Sequence, residues 1–206
     1  MNDTQAKAPL HVRNIGTPLD LSWIESIRVN KSAVGRRIAS LNARRTQKHV
    51  HQAAWLVKAI QCMDLTTLSG DDTPGRVARL CAKARTPLRR DLMLALGLES
   101  LSTGAVCVYH ELVAPAVQNL EGSSIPVAAV STGFPAGLSS METKLREIEL
   151  SVAAGATEID IVISRRHVFA QDWAALYAEM QAFRLACGKA HVKAILATGD
   201  LQTLDN

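Results

Sequence analysis

Three charged residues stand inside short runs that are otherwise apolar and strand-like: Asp64 in CMDLTTL, Asp160 in TEIDIVI and Lys193 in VKAILA. Desolvating an unpaired charge is costly, so such residues are either mutually paired or working groups at strand ends. A lysine set beside carboxylates is how proteins tune proton relays and amine nucleophiles. Other polar residues fall at or near the ends of similar runs: Thr66 two positions from Asp64, Cys107 and Tyr109 in AVCVY, Ser131-Thr132-Gly133, Glu158 two before Asp160, and Thr198. Residues two apart in a strand share a face. Each also has a structural reading. Lys193 follows His191 and can be paired at a strand entrance, and Asp64 can cap a turn. Cys107 reads as a small core residue. Glu158 is expected at the outer end of its strand, bound to a surface arginine.

The elements that would position these residues alternate. The strand run 62–68 ends in Ser69-Gly70-Asp71-Asp72, and Thr73 then caps a helix with Pro74 at its first position. Val77, Leu80, Cys81 and Ala84 follow at helical spacing, and a short helix over 90–96 ends at Gly97. Strands are expected at 105–109, 125–131, 157–163 and 192–197. Helical stripes separate them: Leu112, Val113, Val117 and Leu120; then Met141, Leu145, Ile148 and Val152; then Trp173, Leu176, Met180, Phe183 and Cys187. Ser139 with Glu142 reads as a capping box. Near-continuous apolar strands alternating with helices imply a parallel sheet covered by helices, either doubly wound or barrel-like. Ahead of this unit, residues 17–60 carry helical stripes, and residues 1–16 read as a loose terminus.

Composition narrows the chemistry. The 206 residues are 48% hydrophobic and 20% charged, enough for a core. No apolar run is long enough to span a membrane and no secretory signal is evident, so a cytoplasmic protein without membrane contact is expected. Cys62, Cys81, Cys107 and Cys187 form no CxxC pair, and the six histidines form neither HxH nor HExxH. Neither metal nor disulfide scaffold is therefore expected. No strand leads into GxGxxG, and GxxxxGK[ST] and GxSxG are absent. The net charge of +4 is uneven: residues 1–60 hold ten Lys/Arg against three Asp/Glu. Those basic residues are spread over helical periods with few aromatics, so a solvated face is expected rather than a nucleic-acid arm.

Five ordered stretches carry a family resemblance: CMDLTTL (62–68), AVCVY (105–109), STGFPAG (131–137), EIDIVI (158–163) and KAILATG (193–199). Together with LDLSWI (19–24) and QAAWL (52–56), they resemble the deoxyribose-phosphate aldolases in their animal-type form. The resemblance implies a TIM-type (β/α)₈ barrel and a class I aldolase that cleaves 2-deoxy-D-ribose 5-phosphate to glyceraldehyde 3-phosphate and acetaldehyde, in deoxyribonucleotide catabolism. A lysine Schiff base would carry the reaction, with no metal or other cofactor. Asp160 matches the family's proton-relay aspartate. Asp64, Cys107, Lys193 and Thr198 match residues that line the barrel mouth and bind substrate. The implied partner is a sugar phosphate, and a homo-oligomer is compatible with the sequence.

The chain also departs from that pattern. His110 stands where the family usually has proline. The family's Schiff-base lysine lies on strand six, in a KTSTG-like motif, and its partner lysine on strand seven, in a KPAGG-like motif. Neither motif occurs here. The expected organisation is an N-terminal helical extension over 1–60 and a partial barrel over 61–206, holding the first five βα units of eight. A barrel removes sheet edges only by closing. The chain alone is accordingly expected to be an inactive fragment. Two rival readings are a non-catalytic partial barrel binding a protein through its open edge, and nucleic-acid association through the basic N-terminal segment.

Overall fold

The computed structural model describes residues 16–44 and 46–206. The terminus expected to be loose lies, but for Gly16, outside the described residues. Five strands form one sheet: β1 (Asp64–Thr66), β2 (Ala105–Val108), β3 (Val127–Ser131), β4 (Glu158–Val162) and β5 (His191–Ile195). They lie side by side in chain order and every pair is parallel.

Alternation along the strands separates two faces. Leu65, Val106, Val108, Val127, Ala129, Ile159, Ile161 and Val192 point into the main core, where they meet helix residues. These come from α4 (Pro74–Arg85), α6 (Val113–Asn119), α7 (Met141–Ala153) and α9 (Trp173–Ala186). Cys107, Ala128, Val130 and Ile195 point the other way, where, among the described residues, Leu68, Tyr109 and Phe134 from the strand ends and loops join them. One helix-covered face and sequential strand order define a singly wound sheet, which decides against the doubly wound alternative.

The sheet is also curled. A flat five-stranded sheet would hold its outer strands about 19 Å apart, at ~4.8 Å per step. Yet Lys193 of β5 hydrogen-bonds Asp64 of β1. Only a sheet bent toward its uncovered face brings those two side chains together, and that is the curvature of a barrel wall.

Local chemistry explains most boundaries. Thr73 accepts the Arg76 N–H at 3.3 Å and Pro74 occupies the first turn of α4, as the sequence predicts. The cap of α7 is displaced by one residue from the expected box: Ser140, not Ser139, accepts the Thr143 N–H. Ser139 is instead packed against Gly133, so closely that a Cβ on that glycine would come within 2.6 Å of its hydroxyl. α7 ends before Gly155 (φ +103), where a side chain would press on Val117. β1 is shorter than expected because Cys62 serves as the C-cap of α3 (His49–Gln61). β5 stops at Ile195, since Ala197 turns left-handed (φ 51) into a 3₁₀ turn over Thr198–Asp200.

The N-terminal helices stand apart from this core. α1 (Ser22–Glu25), α2 (Lys31–Asn42) and α3 bury no residue. Among the described residues, hydrogen bonds tie the segment down from the Tyr177 hydroxyl to the Thr17 carbonyl and from the Val29 N–H to the Asp205 carboxylate. No helix among the described residues is long and apolar enough to cross a membrane.

Candidate active site on the inner face

Register places the charged residues together. Asp160 lies opposite Lys193 across β4 and β5, Glu158 opposite His191, and Thr66 opposite Cys107 across β1 and β2. With a period of two, Asp64, Cys107, Glu158, Asp160 and Lys193 all fall on the face the helices leave uncovered. The Lys193 Nζ is the hub. It donates to Asp64, lies 2.9 Å from Glu158 Oε2 and 3.1 Å from Asp160 Oδ1. The contact to Asp160 is an ion pair without hydrogen-bond alignment, and that buried Oδ1 has no hydrogen-bond partner among the described residues. The other oxygen of Asp160 accepts the Cys107 thiol at 3.7 Å.

One ammonium among three carboxylates is an unbalanced set, and the ionisations follow from it. Burial pushes the Asp160 carboxyl above its ordinary range, and the Lys193 charge offsets only part of that; Asp64 and Glu158 add to the rise. Burial also favours the neutral amine of Lys193. The hydrogen bond to Asp64 and the close Glu158 and Asp160 carboxylates outweigh it, and the amine is held well above the usual lysine value. Cys107 is pushed up to about 12, first by burial and then by the Asp160 charge. The site therefore offers a firmly held cation, a carboxyl poised to exchange a proton, and a thiol that stays protonated. It does not offer a neutral amine or a thiolate at neutral pH.

Of the residues singled out from sequence, five meet here: Asp64, Cys107, Glu158, Asp160 and Lys193. Glu158 corrects the expectation of a surface arginine, because register turns it inward beside Lys193. The charge two residues before Asp160 was the available signal, since it had to share that face. Thr198 is exposed in the turn beyond β5, outside the lysine–carboxylate contacts. Tyr109 packs edge-on against Phe134 at 5.9 Å. No group of three or more His, Cys, Asp or Glu among the described residues could hold a metal ion.

A parallel sheet curled over a lysine–carboxylate cluster defines an α/β protein with a charged inner face, and comparison with known proteins gives its family. The chain belongs to the DeoC/LacD family of aldolases, whose sequence model matches residues 58–205. It is 55% identical over 195 residues to the deoxyribose-phosphate aldolase of Bos taurus, covering 93% of this chain and 61% of that protein. It is 54% identical over 201 residues to the enzyme of the same name from Homo sapiens, covering 96% of this chain and 63% of the relative. The chain thus spans about three fifths of the length of these curated relatives. Among solved structures, a proposed deoxyribose-phosphate aldolase from Coccidioides immitis superposes with a TM-score of 0.61 at 27% identity, over 86% of this chain and 65% of that one.

Proposed function

We propose that the inner-face cluster is part of a deoxyribose-phosphate aldolase site, in which Asp160 moves protons and Asp64, Cys107, Lys193 and Thr198 line the substrate position. The observation that carries this is the Asp160 carboxyl, raised above its usual range by burial and set against an ammonium on an open face. A general acid–base works best with a pKa near the working pH, and burial moves a carboxyl in that direction. In retro-aldol cleavage a lysine amine condenses with the substrate carbonyl, losing water to give an iminium. Removal of the hydroxyl proton then breaks the carbon–carbon bond, and the electron pair passes into the iminium as an enamine. Returning a proton to the enamine carbon and hydrolysing the product iminium releases acetaldehyde. Asp160 suits both proton transfers.

Lys193 does not suit the amine role. One hydrogen-bonded carboxylate, a second at 2.9 Å and a third at 3.1 Å hold it as an ammonium, which has no lone pair for the carbonyl. Its part is to orient the carboxylates and, once substrate enters, to offer them competition from hydroxyl or phosphate oxygens. Lys144 is paired with Glu179 on the other face of the sheet. The attacking amine therefore comes from neither cluster in this reading.

The same reading makes residues 61–206 the first five βα units of a (β/α)₈ barrel and 1–60 an appended helical segment. A cytoplasmic setting suits four cysteines that form no disulfide among the described residues. The exposed Trp55 and Leu56 of α3 support self-association. Titrating the purified chain with 2-deoxyribose 5-phosphate, followed by NMR, tests the site. Shifts concentrated at Asp160, Lys193 and Thr198, and absent with inorganic phosphate, are expected. No shift at these residues at millimolar sugar phosphate would overturn the assignment.

A further inference from the structure

A second lysine–carboxylate cluster lies on the opposite side of β4. Lys144 of α7 and Glu179 of α9 are each only 3% exposed, with Nζ 3.0 Å from Oε1. Ser164 completes the set. Its hydroxyl donates to Glu179 Oε1 at 2.6 Å and accepts from the Lys144 Nζ at 2.8 Å, while its backbone N–H donates to Glu179 Oε2 at 2.9 Å. Burial raises the Glu179 carboxyl, but the two Ser164 bonds and Lys144 outweigh it, so it sits below the usual range. The Lys144 ammonium also lies over the Phe183 ring, 5.7 Å from its centre.

Such a pair is a poor source of stability. Desolvating both ions costs about what their attraction returns, and apolar replacements of similar volume are often neutral or better. Its geometric consequence is specific. Ser164 lies two residues beyond the end of β4 and opens α8 (Arg165–Phe169) without a side-chain cap of its own. Glu179 supplies the acceptor that its N–H lacks, and Lys144 balances the buried charge. Just past the end of β3, the Thr132 hydroxyl accepts the Val162 N–H at 2.7 Å and lies 3.0 Å from the Val162 carbonyl. It does so from a left-handed backbone (φ 62) that threonine adopts only under constraint. The strand that carries Asp160 is therefore gripped at Val162 and at Ser164, two and four residues beyond it.

We propose that Lys144, Glu179 and Ser164 are positioning residues for Asp160: they fix the C-terminal end of β4 so that its carboxyl stands against Lys193 and Cys107 on the inner face. None of the three touches the reacting groups. Their relevance to catalysis rests on the aldolase reading above, whereas the positioning itself does not.

The test follows the Asp160 carboxyl by carbon-13 NMR pH titration in the full chain, for the parent, Glu179→Gln, and the double variant Lys144→Met/Glu179→Met. Melting curves are recorded beside each. In the double variant, which leaves no buried charge, the fold is retained and the Asp160 midpoint moves by about half a pH unit or more. The same variant alkylates Cys107 several-fold faster, read by peptide mass mapping. Glu179→Gln, if it folds, moves the Asp160 midpoint less than the double variant does, because one acceptor oxygen remains for Ser164. A folded double variant with the parent's Asp160 midpoint and Cys107 rate overturns the proposal. A moved midpoint, combined with no deoxyribose 5-phosphate binding in the parent, upholds the positioning and removes the aldolase reading instead.

Discussion

The two lysine clusters on either side of β4 use the same chemistry to opposite ends. Behind the sheet, Lys144 meets one carboxylate, and both ions are bonded and sealed from water. On the inner face, Lys193 meets three carboxylates, and exposure runs from 14% at Asp160 to 34% at Asp64. The closed cluster is neutral and has every Glu179 oxygen satisfied, so its carboxyl is held low. In the open cluster burial, with Asp64 and Glu158 adding to it, outweighs the Lys193 charge and holds the Asp160 carboxyl high, and one of its oxygens has no hydrogen-bond partner among the described residues. Balance makes a structural clamp. Imbalance leaves a proton that can move.

Breaking the closed cluster by one member should give the largest effect. Lys144→Met strands a buried carboxylate, and a loss of about 3–5 kcal/mol is expected in chemical denaturation. Removing both members should cost far less, near neutrality on the same measurement, because no charge is then left uncompensated. The open cluster should behave differently. Lys193→Met leaves three carboxylates facing one another, so its melting temperature falls below the parent's at pH 7. It recovers toward the parent near pH 4, because Asp160, whose carboxyl is already raised, takes up a proton and relieves the repulsion. A variant equally destabilised at both pH values would show that Lys193 acts by packing rather than by charge.

Acid titration sharpens the contrast further, because the two carboxyls contribute with opposite sign. Glu179 has a lowered folded pKa, so its contribution is present above the unfolded glutamate range, near 4.3, and is lost as pH falls through the folded value. Asp160 has a raised folded pKa. Its contribution is complete below the unfolded aspartate value, near 3.9, and is lost as pH rises through the folded one. Asp160→Asn should therefore flatten the loss of stability on the neutral side, read from melting curves between pH 4 and 7. Glu179→Gln should flatten the loss on the acid side. The smallest effect is expected at the surface: Arg89→Ala removes a pair with Asp91 that is exposed on both sides, and no resolvable change in melting is expected.

Much of this arrangement was legible in the residues. Asp64, Asp160 and Lys193 stood out because each interrupts an apolar strand, and period two required Glu158 to share the Asp160 face. The alternation of strand and helix gave the parallel sheet. The choice between a doubly wound sheet and a barrel wall was not available from the pattern, since it depends on which face the helices cover and on curvature. The closed cluster left only a faint trace. Lys144 lies four residues before Ile148 in the buried stripe of α7, and Glu179 four before Phe183 in that of α9. Opposite charges inside two apolar stripes hint at a pair. That the pair meets at Ser164 is a fact of packing between α7, α9 and the end of β4, which no local spacing encodes.

The central claim is that Lys193 serves as a fixed cation and Asp160 as the proton carrier. It is tested most directly by borohydride reduction of the chain with 2-deoxyribose 5-phosphate at neutral pH, followed by peptide mass mapping. The account predicts that Lys193 is recovered unmodified, because its lone pair is taken up in the ammonium held by Asp64, Glu158 and Asp160. A reduced substrate adduct on Lys193 would contradict it and make that lysine the nucleophile.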